Sequence, residues 1–321
     1  MSEEFDYLIE KIENADFTTA PFEHVYIEDF LSDEHFEEIR QSPEINLGHV
    51  ADDDQLFESM FKAGYKIVEF PGCVTSKDEY IAWHEGQKES KHHHTTCESF
   101  GITLRLYEAQ TPLLARLKEF FHSETFNGAM ARKFGVELEA CTIDGGVQKY
   151  LDGYEISPHP DIRRKAATFM VNINPTDESE NLNHHTHYMT FKPSRRYVQA
   201  YWEGNADMDR CWVPWDWCDT AYQQTKNNSI VLFSPSNDTI HAVKASYDHL
   251  PTQRTQIYGN LWYKDRMVTG EPEWYQFDIQ PENSARERLR DALPVPVRTA
   301  WRTSKRFVSK LRGDNVGRRD Y

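Results

Sequence analysis

From residue 136 onward the chain breaks into short extended segments separated by turn residues, and this spacing constrains the fold more than any other feature. The candidates are 137–142, 147–151, 166–173, 197–203, 229–233, 241–245 and 256–263. Many short strands punctuated by turns, with no helices alternating between them, specify a sandwich or barrel rather than a parallel α/β sheet. The polar, His-rich stretch 183–192 shows no clear period and is expected to be an insertion loop. Eighteen Phe, sixteen Tyr and eight Trp supply material for a core and for an aromatic-lined pocket.

The first part of the chain reads differently. Phe5, Leu8, Ile9 and Ile12 recur at helical spacing, so residues 1–20 hold a short amphipathic helix. Residues 22–30 alternate like a strand, and Ser32 stands where an N-cap is needed for a helix to about Arg40. A strand is expected over 65–70, closed by Pro71-Gly72, then a helix over 76–85, a strand over 101–107 and one or two helices over 111–134. After Pro272 the pattern returns to helix, broken by Leu293-Pro294-Val295-Pro296.

Composition narrows the class. No apolar run approaches the ~20 residues that cross a bilayer. The acidic start Met1-Ser2-Glu3-Glu4 lacks a signal peptide's basic and apolar regions, so a cytoplasmic location is expected. Five cysteines with no CxxC pair read as reduced, mostly packed thiols. The net charge is −16, yet residues 284–321 carry eleven Lys and Arg against four Asp and Glu. An acidic body argues against nucleic-acid binding. The basic stretch 297–312 includes Trp301, Phe307, Val308 and Leu311. It fits packing against the acidic body, or a weak contact with an anionic surface. Oligomeric state is not legible.

The chemistry concentrates in the segment from Gln148 to Asp161 (QKYLDGYEISPHPD). His159 and Asp161, two apart on an extended strand, point to the same side and can reach one ion. HxD alone occurs by chance, so a third ligand must come from elsewhere. The buried run SIVLFSP is followed by His241, which opens the next strand; His249 competes but precedes Leu250-Pro251 in a loop. Two His and one carboxylate on one face of an octahedral ion leave three positions open, as non-haem iron(II) oxygenases require. Arg254, thirteen residues past His241, can pair a dicarboxylate's distal end through two parallel hydrogen bonds, and Gln256 points the same way.

Other polar groups carry weaker signals. Arg163, Arg164 and Lys165 are either a solvated turn or a dock for an anionic substrate group. Trp212, Trp215 and Trp217 read as core or pocket wall, with Trp215 a candidate to stack on substrate. His184, His185 and His187 read as loop residues, His187 within reach of substrate. The run His92-His93-His94 is a solvated loop near the pocket mouth.

Residues 21–265 resemble the iron(II)/2-oxoglutarate oxygenase superfamily, most nearly its prolyl-4-hydroxylase-like branch. The matching pieces are PFEHVYIEDFLSDEHFEEI, YLDGYEISPHPD, a strand ending in NINP, FSP before HAV, and the late Arg. The resemblance implies a mainly β fold with flanking helices: a double-stranded β-helix, or jelly roll, over about 136–265, followed by a helical basic extension over 266–321. It implies an iron triad of His159, Asp161 and His241, Arg254 as salt-bridge partner of 2-oxoglutarate, and Tyr150 as hydrogen-bond donor to the same carboxylate. Iron(II), 2-oxoglutarate and dioxygen are the implied cofactor, cosubstrate and oxidant, with hydroxylation of a small molecule, amino acid, peptide-bound residue or sugar as the reaction. The prolyl-4-hydroxylase pattern places Lys about ten residues after the second His, where this chain has Pro251. Two other classes share the motifs: a catalytically inactive metal-binding protein on the same fold, and a cupin-like metal isomerase that uses neither Arg254 nor 2-oxoglutarate.

Overall fold

The structure, a computed structural model, describes residues 3–70, 73–86 and 101–265, all within one compact unit, Met1–Glu273. The expectations for His92-His93-His94, Pro71-Gly72 and the extension 266–321 lie outside the described residues.

The described residues form eleven strands: β1 (Val25–Ile27), β2 (Tyr65–Ile67), β3 (Thr103–Leu106), β4 (Cys141–Tyr150), β5 (Glu155–His159), β6 (Lys165–Asn172), β7 (Thr186–Phe191), β8 (Cys218–Gln223), β9 (Ile230–Phe233), β10 (His241–Lys244) and β11 (Arg254–Tyr263). They form a seven-stranded sheet, ordered β1-β9-β6-β11-β4-β3-β2, and a four-stranded sheet, ordered β5-β10-β7-β8. Every pairing is antiparallel. From β4 onward the chain crosses from one sheet to the other at each step, except at β7–β8, which stay together in the smaller sheet. That winding is a double-stranded β-helix, as the family resemblance implied. Strands β1 to β3, from the N-terminal part, widen the larger sheet on both edges.

Among the described residues, seven α-helices flank the strands: α1 (Asp6–Asn14), α2 (Asp33–Gln41), α3 (Asp53–Lys62), α4 (Lys77–Gly86), α5 (Pro112–His122), α6 (Glu124–Phe134) and α7 (Arg196–Gly204). Side-chain caps start four of them, Ser32 accepting from His35 N, Asp52 from Gln55 N, Ser76 from Glu79 N and Ser123 from Phe126 N. Leu113, Leu117, Phe121, Phe126 and Met130 pack with the outward residues Val147, Phe169, Val171 and Ile257 of the larger sheet in one cluster. Phe121 stacks on Phe169 at 5.3 Å between ring centroids. Burying each such side chain contributes about 1.5–3 kcal/mol. Gly259 is required here, because a Cβ would stand 2.4 Å from the Phe169 ring. The inner faces of the two sheets meet at Phe22, Met170, Tyr188, Val231 and Phe233. No described helix is long and apolar enough to cross a membrane.

The structure corrects four local expectations. Residues 183–192 are not an insertion loop: they contain β7, which pairs with β10 on one side and β8 on the other. Residues 197–203 are helix, not strand, because Val198 and Trp202, four apart, are the buried face of α7. The expected strands 137–142 and 147–151 are one strand, β4, preceded by a short 3₁₀ turn at Leu138–Ala140. Helix α3 was not expected, although Leu56, Phe57 and Met60 bury one helical face behind the Asp52 cap.

Candidate metal centre

His159 ends β5 and His241 opens β10, and the two are directly paired across the smaller sheet. Their rings lie 4.2 Å apart between centroids. Asp161 joins them, with one ligand atom from each residue within 4.8 Å of the others, and all three side chains are buried. The reason differs from the one read in the sequence. Asp161 is not on the strand: β5 stops at His159, and Asp161 takes a left-handed φ of 77° that turns its carboxylate back toward the two rings. A positive φ at a non-glycine residue is strained, and such strain concentrates at functional sites.

The carboxylate is held by three donors. Oδ1 accepts from Ile162 N at 3.0 Å and pairs with Lys165 Nζ at 2.6 Å; Oδ2 accepts from Thr168 Oγ1 at 2.9 Å. Burial works against the charge of Asp161, but the Lys165 ammonium and the two nearby imidazoles outweigh it and keep the carboxyl well below its usual range. Burial, then the neighbouring His241, pushes the His159 imidazole down to about 3, and burial lowers His241 as well. Both rings are therefore neutral at pH 7.

Which ring nitrogen is free decides whether a cluster can bind a metal. His159 Nδ1 lies 2.9 Å from the carbonyl of Ser157, and His241 Nδ1 lies 2.9 Å from that of Thr239. A carbonyl only accepts, so both Nδ1 atoms carry the proton and both Nε2 lone pairs are free for an ion. A second group, Asp53, His84 and His249, also brings three such side chains together. There, His249 Nδ1 accepts from the backbone N–H of Asp152 at 3.1 Å, so Nε2 must hold the proton, which it donates to Asp53 Oδ1 at 2.6 Å. His84 bridges two carboxylates, Asp53 at 2.9 Å and Asp152 at 3.0 Å, as a doubly protonated ring. Its hydrogen bonds to Asp152 and Asp53 raise the imidazole to about 9. That group is a charge network with its lone pairs spent, not a metal site.

The triad opens into a cavity of about 320 Å³ between the sheets. Along β11, Arg254, Gln256, Tyr258 and Trp262 line it, all on the alternating face that the period of a strand sets. Arg254 is 3 % exposed. It donates from Nη2 to Thr186 Oγ1 at 2.9 Å and to Gln256 Oε1 at 3.0 Å, and its guanidinium lies 4.8 Å over the ring of Tyr150. None of its hydrogen bonds among the described residues goes to a carboxylate. Burial draws its guanidinium below the ordinary range, though an arginine keeps its charge. In the amide orientation that satisfies both its ends, Gln148 donates to the Tyr150 hydroxyl and accepts from Arg105 Nε at 3.0 Å and Nη2 at 2.8 Å. The Tyr150 proton is then free for another acceptor.

The three weaker sequence candidates do not line this cavity. Arg163 donates to Met208 O and Asn237 Oδ1, each at 3.0 Å, and to Trp202 O, while stacking 3.7 Å from the Trp202 ring. It fixes the turn after Asp161. His187 alternates with Thr186, which faces the cavity, so it points to the other side of β7, where its ring meets Trp215 edge-on. Trp215 donates to Glu155 at 2.8 Å. Trp212, by contrast, is part of the wall. Sequence reasoning missed Arg105, Asp144 and Tyr258, and it left Lys165 between a solvated turn and a dock for an anionic substrate group. For Lys165 the strand pattern itself misleads: β6 has an irregular register against β11 between Ala167 and Lys165. The extra residue breaks the alternation and brings Lys165 to the cavity side with Thr168 and Met170.

No family model matches the sequence, and no curated protein is similar enough to count as a relative. Among solved structures the fold is similar to a prolyl-4-hydroxylase from Pseudomonas putida, with a TM-score of 0.40 and 7 % identity over 81 % of this chain and 100 % of that one. It is similar to a prolyl hydroxylase from Trichoplax adhaerens in complex with a hypoxia inducible factor peptide fragment, with a TM-score of 0.38 and 12 % identity over 81 % and 89 % of the two chains. A third is EvdO2 from Micromonospora carbonacea complexed with 2-oxoglutarate, with a TM-score of 0.30 and 13 % identity over 70 % and 96 %.

Proposed function

We propose that this chain is an iron(II)- and 2-oxoglutarate-dependent dioxygenase that hydroxylates an unactivated C–H bond of a small molecule, amino acid, peptide-bound residue or sugar. One observation carries the reading: a single cavity holds a metal-competent His159–Asp161–His241 triad and, in its wall, the buried guanidinium of Arg254, with no carboxylate among its hydrogen-bond partners in the described residues. An unpaired buried charge is costly, and a dicarboxylate guest would satisfy it. A metal isomerase has no use for such a group.

His159 and His241 would hold iron(II) through Nε2, and Asp161 through a carboxylate oxygen. Bound together, iron(II) and 2-oxoglutarate supply dioxygen activation, the cosubstrate leaving as succinate and carbon dioxide. The remaining work belongs to the protein. Arg254 receives the distal carboxylate by a two-point contact, and the free Tyr150 proton adds a third hydrogen bond. Gln256 and Thr186 hold the guanidinium in register. Thr168, the Ile162 N–H and Lys165 keep Asp161 charged and correctly turned. Trp212, Tyr258 and Trp262 exclude water and orient the substrate. The carboxylate of Asp161 fills the position a halide would need, which favours hydroxylation over chlorination. Calorimetric titration of the anaerobic ferrous protein tests the reading: one 2-oxoglutarate per chain, bound only with the metal present, is expected. Binding that is absent, or independent of metal, would contradict it.

A further inference from the structure

The cavity contains a charge that the proposed cofactor and cosubstrate do not balance. Its charged wall residues are Asp161 and Lys165, Arg105 and Asp144, and Arg254, with Glu69 exposed at the rim. Asp161 pairs with Lys165, and Arg105 Nη1 donates to Asp144 at 3.0 Å. These two pairs cancel, leaving one positive charge. A divalent ion and a dicarboxylate also cancel one another, so loading the site leaves that excess unchanged. Once a cosubstrate carboxylate sits on Arg254, the excess falls at the opposite end, on the side of Lys165 and Arg105.

Two backbone irregularities bring those cations in. The break in alternation on β6 turns Lys165 from the helix-packed side to the cavity side. There its ammonium lies 3.2 Å from Tyr258 OH and over the rings of Tyr258 and Trp262, at 5.6 and 5.5 Å. On the other flank, β4 carries Gly146 opposite Tyr258, and the Arg105 side chain lies across it. A Cβ at Gly146 would stand 3.3 Å from Arg105 Cγ and Cδ. Tyr258 is thus flanked by a cation on each side. Holding Asp161 does not by itself require Lys165, since Ile162 N and Thr168 Oγ1 already donate to both oxygens.

We infer that the substrate of this centre carries an oxyanion group, a carboxylate or a phosphate, which docks between Lys165 and Arg105 over Tyr258, with its apolar part against Trp212 and Trp262. This rests on the oxygenase reading for the identity of the loaded centre. A cation pair of buried Lys165 and partly buried Arg105 selects anions over neutral isosteres, because charge drawn out of water is costly unless paired.

Matched probes of one shape test it: benzoate, phenyl phosphate and the neutral benzamide, titrated calorimetrically into the anaerobic ferrous protein saturated with 2-oxoglutarate. At least one anion should bind about tenfold tighter than benzamide, and whichever anion binds tighter names the oxyanion. Arg105→Met and Lys165→Met should each bring that ratio close to unity. Arg105 touches no proposed ligand of the metal, so its variant keeps the test valid if Lys165→Met loses the ion. Equal affinities, no binding of any probe, or an unchanged ratio in Arg105→Met would overturn the inference. If 2-oxoglutarate itself fails to bind, the oxygenase reading falls separately. The same comparison in metal-loaded Arg254→Met then isolates the Lys165–Arg105 end: a persisting anion preference supports the inference, and its loss overturns it.

Discussion

At His159 and His241 two backbone carbonyls, those of Ser157 and Thr239, choose the tautomer that leaves Nε2 free, as the proposed metal site needs. At His249 the backbone N–H of Asp152 makes the opposite choice. Metal analysis after anaerobic reconstitution should therefore find iron lost from His159→Ala, Asp161→Ala and His241→Ala. His249→Ala and His84→Ala should keep one ion per chain if folded. Full occupancy in His241→Ala, or loss in a folded His249→Ala, would move the site. Arg254 gives a separate expectation. Arg254→Met should weaken 2-oxoglutarate binding by roughly 2–5 kcal/mol, the cost of stranding a desolvated carboxylate, and leave iron affinity intact. Unchanged 2-oxoglutarate affinity would remove Arg254 from the site.

Between elements, the Asp53–His84–Asp152–His249 network ties α3 and α4 to the β4–β5 turn and to the loop that leads into β11. Asp152 Oδ1 also accepts from Tyr247 N, and the Tyr247 hydroxyl bridges Tyr150 O and Arg254 N. The folded His84 titrates near 9 against an ordinary 6.5. Its contribution is complete below pH 6.5 and is lost as the pH rises to 9. After discounting for solvent screening it is worth about 1–2 kcal/mol. Urea unfolding between pH 6 and 10 should show wild type losing that increment relative to His84→Gln, and parallel curves would refute the charged bridge. Lys149 has the opposite slope. Fully buried on β4, it donates to Ile45 O and Thr255 Oγ1 without an acid partner, and burial draws it down to about 7. Its protonation penalises the fold most below pH 7 and is relieved toward 10.5. Lys149→Met should accordingly stabilise more at pH 6 than at pH 10, by about 2–4 kcal/mol on the linkage scale; an equal effect at both would contradict the buried-amine assignment.

The same scale separates what was legible from what was not. Strands with one apolar face toward the helices, such as β6, β9 and β11, stand out because their alternation or unbroken apolar run survives in the sequence. Strand β7 does not, since Thr186 and the histidines around it are polar on both faces. Helix α7 contains Tyr, Val and Trp, residues whose strand preference masks a four-residue burial period. The triad was readable as three residue types in the correct order. The left-handed turn at Asp161 and the break in alternation before Lys165 were not, because both are backbone irregularities that violate the periodicity on which sequence reading depends.

For the whole molecule, two antiparallel sheets serve as walls and the helices close the outside of the larger one. The cavity between the sheets is lined by Arg254 at the start of β11, by the triad, and by Lys165 and Arg105, with Lys165 paired to Trp262 near the end of β11 and reaching Asp161 at 2.6 Å. The function proposed above gives these residues of one pocket to cosubstrate, metal and substrate. Its central claim is that this pocket couples dioxygen to 2-oxoglutarate. The direct measurement is mass spectrometry of succinate formed by the ferrous protein under ¹⁸O-labelled dioxygen, with 2-oxoglutarate consumption followed in parallel. The account predicts one labelled oxygen in each succinate, one succinate per 2-oxoglutarate consumed, and none of either in His241→Ala. Succinate without label, or 2-oxoglutarate left unconsumed by a protein shown to carry iron, would contradict it.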